Sequence, residues 1–307
     1  MTNNIIEINN LKKTYSNGLE ALKGININIE RGKFFGLLGP NGAGKTTTIG
    51  ILTGLVNLSS GNVKVNGFDV IKDYKETRKI IGLSPQEINL DVFFTIKELL
   101  TFQGGYYGLS IKESKIRTQK ILSDLGLEDK INSKARELSG GMKRRVQIAK
   151  ALIHDPEVII LDEPTAGVDI ELRHLLWKSL KDMNTKKEKT MLLTTHYIEE
   201  AEYLCDEVAI IDNGKIIAQG APSKLIESDG ISVINMSVDR WDEKYLINRK
   251  TSYDNGVLSI ESKNTDQDIP KIIGELSEVG IIINKLDIKK ASLEDVFVKL
   301  TGKMMAE

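Results

Sequence analysis

The sequence predicts an α/β fold, a parallel sheet with a helical insertion, followed by a small C-terminal α/β domain. Three observations predict it. Unbroken apolar runs at Phe34 to Leu38, Val158 to Leu161 and Met191 to Thr195 read as strands covered on both faces. Between the first two runs, residues of about 87 to 150 carry mostly helical periodicity, with Leu99, Leu100 and Phe102 early and Ile121, Leu122 and Leu125 later. After about residue 222 the texture changes to short strands and amphipathic helices.

Composition bounds the function classes. A length of 307 residues exceeds what one compact domain usually needs, and 40% hydrophobic with 28% charged residues describes a chain that buries a core. Six prolines against 26 glycines exclude collagen and low-complexity disorder. Lys+Arg 42 against Asp+Glu 43 leaves a formal net charge of -1, so no overall positive field draws in nucleic acid or anionic lipid, and any anion site is local. The one cysteine, Cys205, cannot form an internal disulfide, and with 3 histidines it excludes a structural zinc cluster of the usual composition; a reducing cytosol is the expected compartment. The sequence shows no secretory leader and no apolar run of spanning length, so work at a membrane would require another chain.

Taken in order, Ile25 to Glu30 alternates apolar and polar residues as a half-buried strand does, and Arg31-Gly32-Lys33 turns the chain into Phe34 to Leu38. That run feeds a glycine-rich loop. Val158 to Leu161 ends at Asp162-Glu163, and Met191 to Thr195 ends at His196. Ligands collect beyond the carboxyl ends of strands in open α/β sheets, so Lys45, Asp162, Glu163 and His196 are expected around one crevice. In the tail, Ile231 to Val238 reads as a strand, and Asp254-Asn255-Gly256 as a tight turn before Val257 to Ile260. One helix should bury Ile269, Ile272, Ile273, Leu276 and Val279. The last opens with the capping pattern Ser292-Leu293-Glu294-Asp295 and should bury Leu293, Val296, Phe297 and Leu300. The expected domains are residues 1–222 and 223–307.

Gly39-Pro40-Asn41-Gly42-Ala43-Gly44-Lys45-Thr46-Thr47 fits the P-loop pattern, in which backbone N–H groups point at phosphate oxygens and glycine permits the close approach. Lys45 would neutralise the β- and γ-phosphates, Thr46 would offer its hydroxyl to Mg²⁺, and Thr47 would add a donor on the α-phosphate side. The ligand implied is a nucleoside triphosphate with Mg²⁺. Asp162 would hold Mg²⁺ through its water shell while Glu163 polarises the attacking water, which makes the reaction phosphoryl transfer to water. Leu138-Ser139-Gly140-Gly141-Met142-Lys143-Arg144-Arg145 opens a helix whose free N–H groups form a second phosphate site. One nucleotide does not need two such sites from one subunit, so a dimer with shared nucleotides is the economical geometry; a plain helix N-cap at Ser139 is the alternative.

With these motifs in hand, residues 5 to 220 resemble the ATP-binding cassette (ABC) family, a branch of the P-loop NTPases. Gly39 to Thr47 resembles its Walker A motif, Val158 to Asp162 with Glu163 its Walker B and catalytic glutamate, and Leu138 to Met142 its signature. Gln86 resembles the Q-loop glutamine, Asp169 the D-loop aspartate and His196 the switch histidine, and Tyr15 is placed like the aromatic that stacks on adenine. The resemblance implies ATP and Mg²⁺ as ligands, with Glu163, His196, Gln86 and Lys45 catalytic and Thr46, Gln86 and Asp162 around the metal. Tyr15, the P-loop, Ser139, Gly140, Gly141 and Asp169 would bind nucleotide. Thr46-Thr47-Thr48, Gly140 to Arg145, Thr195 to Glu202 and Ala291 to Phe297 look like ATPase subunits of multidrug-type and antibiotic-type exporters. That likeness implies a separately encoded membrane permease, paired ATPase subunits (identical or related), and a cytoplasmic location held at the membrane through the permease. The segment Phe93, Phe94, Thr95 and Leu99 to Tyr107 lies where such ATPases receive the permease, although its aromatics could equally be core. Two rivals are a switch acting on ribosome or DNA, and a regulatory module whose hydrolysis is incidental.

Other residues receive no role. His154 reads as a surface histidine. His174 beside Arg173 and the run Lys186 to Lys189 read as solvated faces, the latter with charge too mixed for a nucleic-acid footprint. Cys205 reads as a small buried hydrophobe.

Overall fold

The computed structural model describes residues 3–242 and 249–302. These fall into two compact units that divide between Ala221 and Pro222. In the first, isoleucines alternating with polar residues set β1 (Asn4–Thr14) against β2 (Glu20–Glu30), with Ile6 opposite Ile29 and Ile8 opposite Ile27. The apolar run β3 (Phe34–Leu38) is buried along its whole length and leads through the glycine loop to α1 (Lys45–Leu52). Next come β4 (Ser60–Val65) and β5 (Phe68–Asp69), which complete an antiparallel sheet of order β2-β1-β4-β5.

The chain continues through α2 (Tyr74–Ile80) and β6 (Ile81–Ser84) into an insertion of α3 (Ile96–Tyr106), α4 (Ile111–Asp124) and α5 (Gly140–Leu152). It returns as β7 (Val158–Asp162), α6 (Ile170–Lys187), β8 (Thr190–Thr195), α7 (Ile198–Leu204), β9 (Glu207–Asp212) and β10 (Lys215–Gly220). The second sheet has the order β10-β9-β3-β8-β7-β6, parallel except where β10 pairs with β9. Ile6, Ile8, Ile27 and Ile29 of the first sheet share one buried cluster with Leu37, Ile49, Ile160 and Ile211, so the glycine loop is anchored between two sheets.

The helical insertion begins later than residue 87. Thr95 caps α3 and closes a capping box with Glu98, and the chain before it is irregular. Leu99 and Leu100 are buried, but Phe93, Phe102 and Tyr106 are exposed at 74%, 53% and 85%, so these aromatics are surface and not core. The surface reading of His154 fails. Its ring stacks on Tyr107 with centroids 3.7 Å apart and 2° between planes, Nε2 lies 3.1 Å from the Ile81 carbonyl oxygen, and burial lowers its pKa to about 4. His174 is exposed with its ring edge-on to Trp177, and Cys205 is buried just past the end of α7, where burial raises its thiol pKa.

The second unit comprises α8 (Pro222–Asp229), β11 (Ser232–Val238), β12 (Thr251–Asp254), β13 (Val257–Ser262), α9 (Thr265–Glu278), β14 (Ile283–Lys289) and α10 (Leu293–Thr301). Its antiparallel sheet has the order β12-β13-β11-β14. Asn255 at φ 47° and Gly256 at φ 83° are both left-handed, the requirement of a two-residue hairpin whose twist matches its strands. Ile272 and Leu276 of α9 pack on Ile234, Met236, Leu258 and Ile260, with Ile269 at the margin. Ile273 and Val279 are instead 39% and 38% exposed. One helix on one sheet buries a single stripe; Ile273 is a third of a turn off it, and Val279 lies past the last full turn. Ser292 and Asp295 form the expected capping box, and Leu293, Val296 and Phe297 are buried while Leu300 is half-buried.

Candidate active site

Three strand ends of the parallel sheet build the site. β3 delivers the glycine loop, in which Gly39 and Gly44 leave no room for a side chain. A Cβ on Gly39 would stand 2.3 Å from the Ile211 carbonyl oxygen, and Gly44, at φ 117°, would meet Leu22 at 2.7 Å. Lys45 is 5% exposed and donates from Nζ to the carbonyl oxygens of Gly39 (2.6 Å) and Pro40 (3.1 Å). Burial lowers its pKa, and the charges of Glu163 and Asp162 oppose that shift. Tyr15 reaches the loop's exit, its hydroxyl 3.2 Å from Thr47 Oγ1.

β7 delivers the acidic pair. Asp162 and Glu163 are 6% and 7% exposed. Burial raises the Asp162 pKa while the Thr194 hydroxyl, which donates to its Oδ1, holds it down. Glu163 adopts φ 47°, a left-handed conformation that costs a non-glycine residue about 1–3 kcal/mol, and its N–H donates to the Thr194 carbonyl (3.0 Å). Both carboxyl oxygens are engaged: Gln86 Nε2 donates to Oε2 at 2.8 Å, and His196 Nδ1, from the end of β8, lies 3.3 Å from Oε1.

A cavity of about 320 Å³ is lined by Tyr15, Asn41, Gly42, Gly44, Lys45, Thr46, Thr47, Gln86 and Glu163, together with residues of β2 and of the turn at Asn213-Gly214. Of the four residues expected around one crevice, Lys45 and Glu163 line it, whereas Asp162 and His196 do not: Asp162 is buried and His196 stands against Glu163. Phosphate-directed backbone, a buried lysine and a carboxylate held by an amide and an imidazole thus meet at one opening. Ser139, Gly140, Gly141 and Asp169 do not line it. Ser139 caps α5, its Oγ accepting from the Met142 N–H at 3.3 Å, and Asp169 stands exposed at the start of α6.

Two supports were not read from the sequence. Arg144 and Gln147 of α5, each 3% exposed, reach across to the segment that carries Gln86. Arg144 Nη1 donates to the Pro85 carbonyl (3.0 Å), and Gln147 Nε2 to those of Pro85 (2.8 Å) and Glu87 (2.6 Å). Their spacing held the signal, because Arg144, Gln147, Ile148 and Ala151 share one buried helix face and two of the four are polar. The other support is Glu200 of α7, 0% exposed, which accepts from the Trp177 indole N–H at 3.0 Å.

Comparison with known proteins gives this geometry its context. The family model described as ABC transporter matches residues 22–166. A linearmycin resistance ATP-binding protein of Bacillus subtilis is 36% identical over 99% of this chain and 100% of its own length. A Nod factor export ATP-binding protein of Burkholderia lata is 38% identical over 98% of each chain. Among solved structures, cbiO1 from Clostridium perfringens, part of an ABC transporter complex, superposes with a TM-score of 0.69 at 32% identity over 74% of this chain and 92% of its own. A dimeric ATP-binding cassette bound to ADP and Pi superposes with a TM-score of 0.65 at 30% identity over 70% and 98%. Since the likeness to exporter ATP-binding proteins runs nearly end to end and the family match spans the glycine loop through the acidic pair, the chain belongs to the ABC transporter family, as one of its ATP-hydrolysing subunits.

Proposed function

We propose that this chain binds and hydrolyses ATP with Mg²⁺ to power export of a substrate through a separately encoded membrane permease. The observation that carries the reading is the convergence of Gln86 and His196 on Glu163 at the edge of the glycine-loop cavity. Glu163 accepts a hydrogen bond from the attacking water and so raises its nucleophilicity. Lys45 releases the loop carbonyls for the β- and γ-phosphates, whose charge offsets the cost of its burial. Gln86 and His196 fix the Glu163 carboxylate. Tyr15 stacks on the base.

The donors Thr46, Gln86 and Asp162 are hard oxygens with a single carboxylate among them, a set that suits Mg²⁺ completed by phosphate oxygens and water. When bound, the ion neutralises charge between the β- and γ-phosphates.

Ser139, Gly140, Gly141 and Asp169 serve the nucleotide of a second ATPase subunit, a placement supported by the exposure of Ser139, Gly140 and Asp169 at two helix starts outside the chain's own cavity. Residues 1–222 act as the nucleotide-binding domain and 223–307 as an accessory domain. No helix among the described residues is long and apolar enough to cross a membrane. The permease docks in a groove of about 1050 Å³ bounded by α2, α3 and α5, where Leu55, Tyr106 and Tyr107 offer apolar surface beside Arg78, Lys79 and Lys150. The subunit thereby works on the cytoplasmic side of the membrane.

The test is co-purification from membranes in mild detergent, using tagged Glu163→Gln chain in ATP and Mg²⁺, with mass spectrometry of what stays bound. A stoichiometric multi-span protein is the expected result. Recovery of ribosomal or DNA-associated partners alone, with the chain absent from the membrane fraction, would overturn the export reading while leaving the ATPase.

A further inference from the structure

The loop after β7 carries Glu163, and the loop after β8 carries His196. Behind both, on the side away from the cavity, lies a polar junction that the hydrolytic machinery does not use. Its centre is Glu200, fully buried on α7. The Trp177 indole of α6 donates to Glu200 Oε1 at 3.0 Å. The hydroxyls of Thr195, adjoining His196, and of Thr165, two residues beyond Glu163, bear on the same carboxyl group. Thr195 Oγ1 already accepts from the Tyr197 N–H at 2.9 Å, so its own proton is free for Glu200. Burial lifts the Glu200 pKa to about 7, and the indole and the two nearby hydroxyls offset only part of that cost.

Two details indicate that this junction is more than a filled core. Glu200 Oε2 and Thr165 Oγ1 are both buried, and although the Thr165 hydroxyl is near enough to favour the Glu200 carboxylate, neither atom meets a partner with hydrogen-bond geometry, which is uncommon for buried polar atoms. The turn between them and the site is tightly bonded, with Ala166 N–H to the Glu163 carbonyl (3.2 Å) and Val168 N–H to the Thr165 carbonyl (3.0 Å), so a small displacement of Thr165 displaces Glu163. On the other side, Arg173 of α6 lies 4.3 Å over the Tyr197 ring, which itself rests 4.1 Å from His196.

We propose that Glu200 is a positioning residue for hydrolysis: through Thr165 and Thr195 it ties the loop of Glu163 to the loop of His196, and it completes the unfinished Thr165 bond as the two loops close on bound ATP. The inference rests on the ATPase reading of the site. Glu200 is fully buried and does not line the cavity, so its loss leaves ATP affinity intact and lowers the rate at which a correctly aligned carboxylate is presented.

The test is steady-state ATP hydrolysis by the full chain, with kcat and KM measured separately and ATP affinity measured by calorimetry. Misalignment of a reacting group by a fraction of an ångström predicts a fall in kcat of about 10-fold or more for Glu200→Leu with KM within about 2-fold, and recovery to within about 3-fold for Glu200→Gln, which keeps the hydrogen-bonding shape. Thr165→Val should lower kcat on its own and add little on top of Glu200→Leu, since both cut the same link. If Glu200→Leu fails to fold, the Glu200→Gln and Thr165→Val pair still decides. Thr165→Val with unchanged kcat would overturn the proposal, as would Gln and Leu variants equally impaired with KM rising in parallel. An inactive wild-type chain would instead remove the ATPase reading on which the proposal stands.

Discussion

Glu163 holds its carboxylate in place through a strained backbone at φ 47°, two bonds to Thr194 and partners on both oxygens. Strain of this kind persists where the surroundings over-determine it, and here they fix a carboxylate at the edge of the glycine-loop cavity, where the proposed function needs a base. Glu163→Gln keeps shape and burial but removes the proton acceptor, so ATP affinity should stay within about 2-fold while turnover falls by about 10²–10⁴; calorimetry and phosphate release read the two separately. Lys45→Ala should do the reverse in its first step, weakening ATP binding itself by loss of phosphate neutralisation. His154 gives a prediction about stability. Folding lowers its pKa from about 6.5 to about 4, so below 6.5 the unfolded chain binds a proton that the folded chain refuses. Stability is therefore full above pH 6.5 and is lost as pH falls toward 4, by about 1–3 kcal/mol given partial exposure. His154→Phe, which keeps a ring against Tyr107, should flatten that acid limb in urea unfolding series at pH 7, 5.5 and 4.5; an unchanged slope would show that other groups set it.

Whole elements, not single side chains, decide where Gln86 stands. α5 begins at the Ser139 cap and ends beneath β6, and along one face it sends Arg144 and Gln147 to the carbonyls of Pro85 and Glu87 on either side of Gln86. The helix that opens at the Ser139 cap is thus bonded to the loop that holds Gln86. Arg144→Ala should remove one of the two donors to the Pro85 carbonyl, destabilise the chain by about 1–3 kcal/mol and lower ATP turnover more than ATP affinity; equal loss of both would mean that α5 supports the fold alone. The spacing of Arg144 and Gln147 put two polar residues on a buried helix face, but their partners were not legible in the sequence, because these stand 59 to 62 residues away and an arginine after a lysine reads as surface charge. Glu200 was hidden in the same way, inside the acidic-looking stretch Glu199-Glu200-Ala201-Glu202. Local elements were legible where one physical rule dominates. The unbroken runs became β3, β7 and β8 because only strands buried on both faces tolerate them, and Asn255-Gly256 made its hairpin because both positions need positive φ. The insertion's aromatics were ambiguous from sequence, since helical spacing does not say which face meets a neighbour.

At the scale of the molecule, strand order was the part that sequence left open, because β3 lies between β8 and β9 through crossovers that no local pattern encodes. The crevice was legible all the same, since each central strand delivers its polar residue at the same end. Lys45, Thr46 and Thr47 at the start of α1 line the cavity, whereas Ser139 to Gly141 at the start of α5 do not. On the proposed reading the two helix N-termini serve different nucleotides, and two copies would each supply the other's missing wall. Glu163→Gln chain, unable to hydrolyse what it binds, should therefore pass from monomer to dimer in ATP and Mg²⁺ and return to monomer when nucleotide is removed, as sedimentation velocity would read. Adding Ser139→Glu places a carboxylate where the partner's γ-phosphate would rest, so like-charge repulsion should abolish the dimer while leaving ATP bound in the chain's own cavity. Loss of ATP affinity by the monomeric double variant would mean that Ser139 contacts the nucleotide of its own chain, and the shared geometry would fall with it.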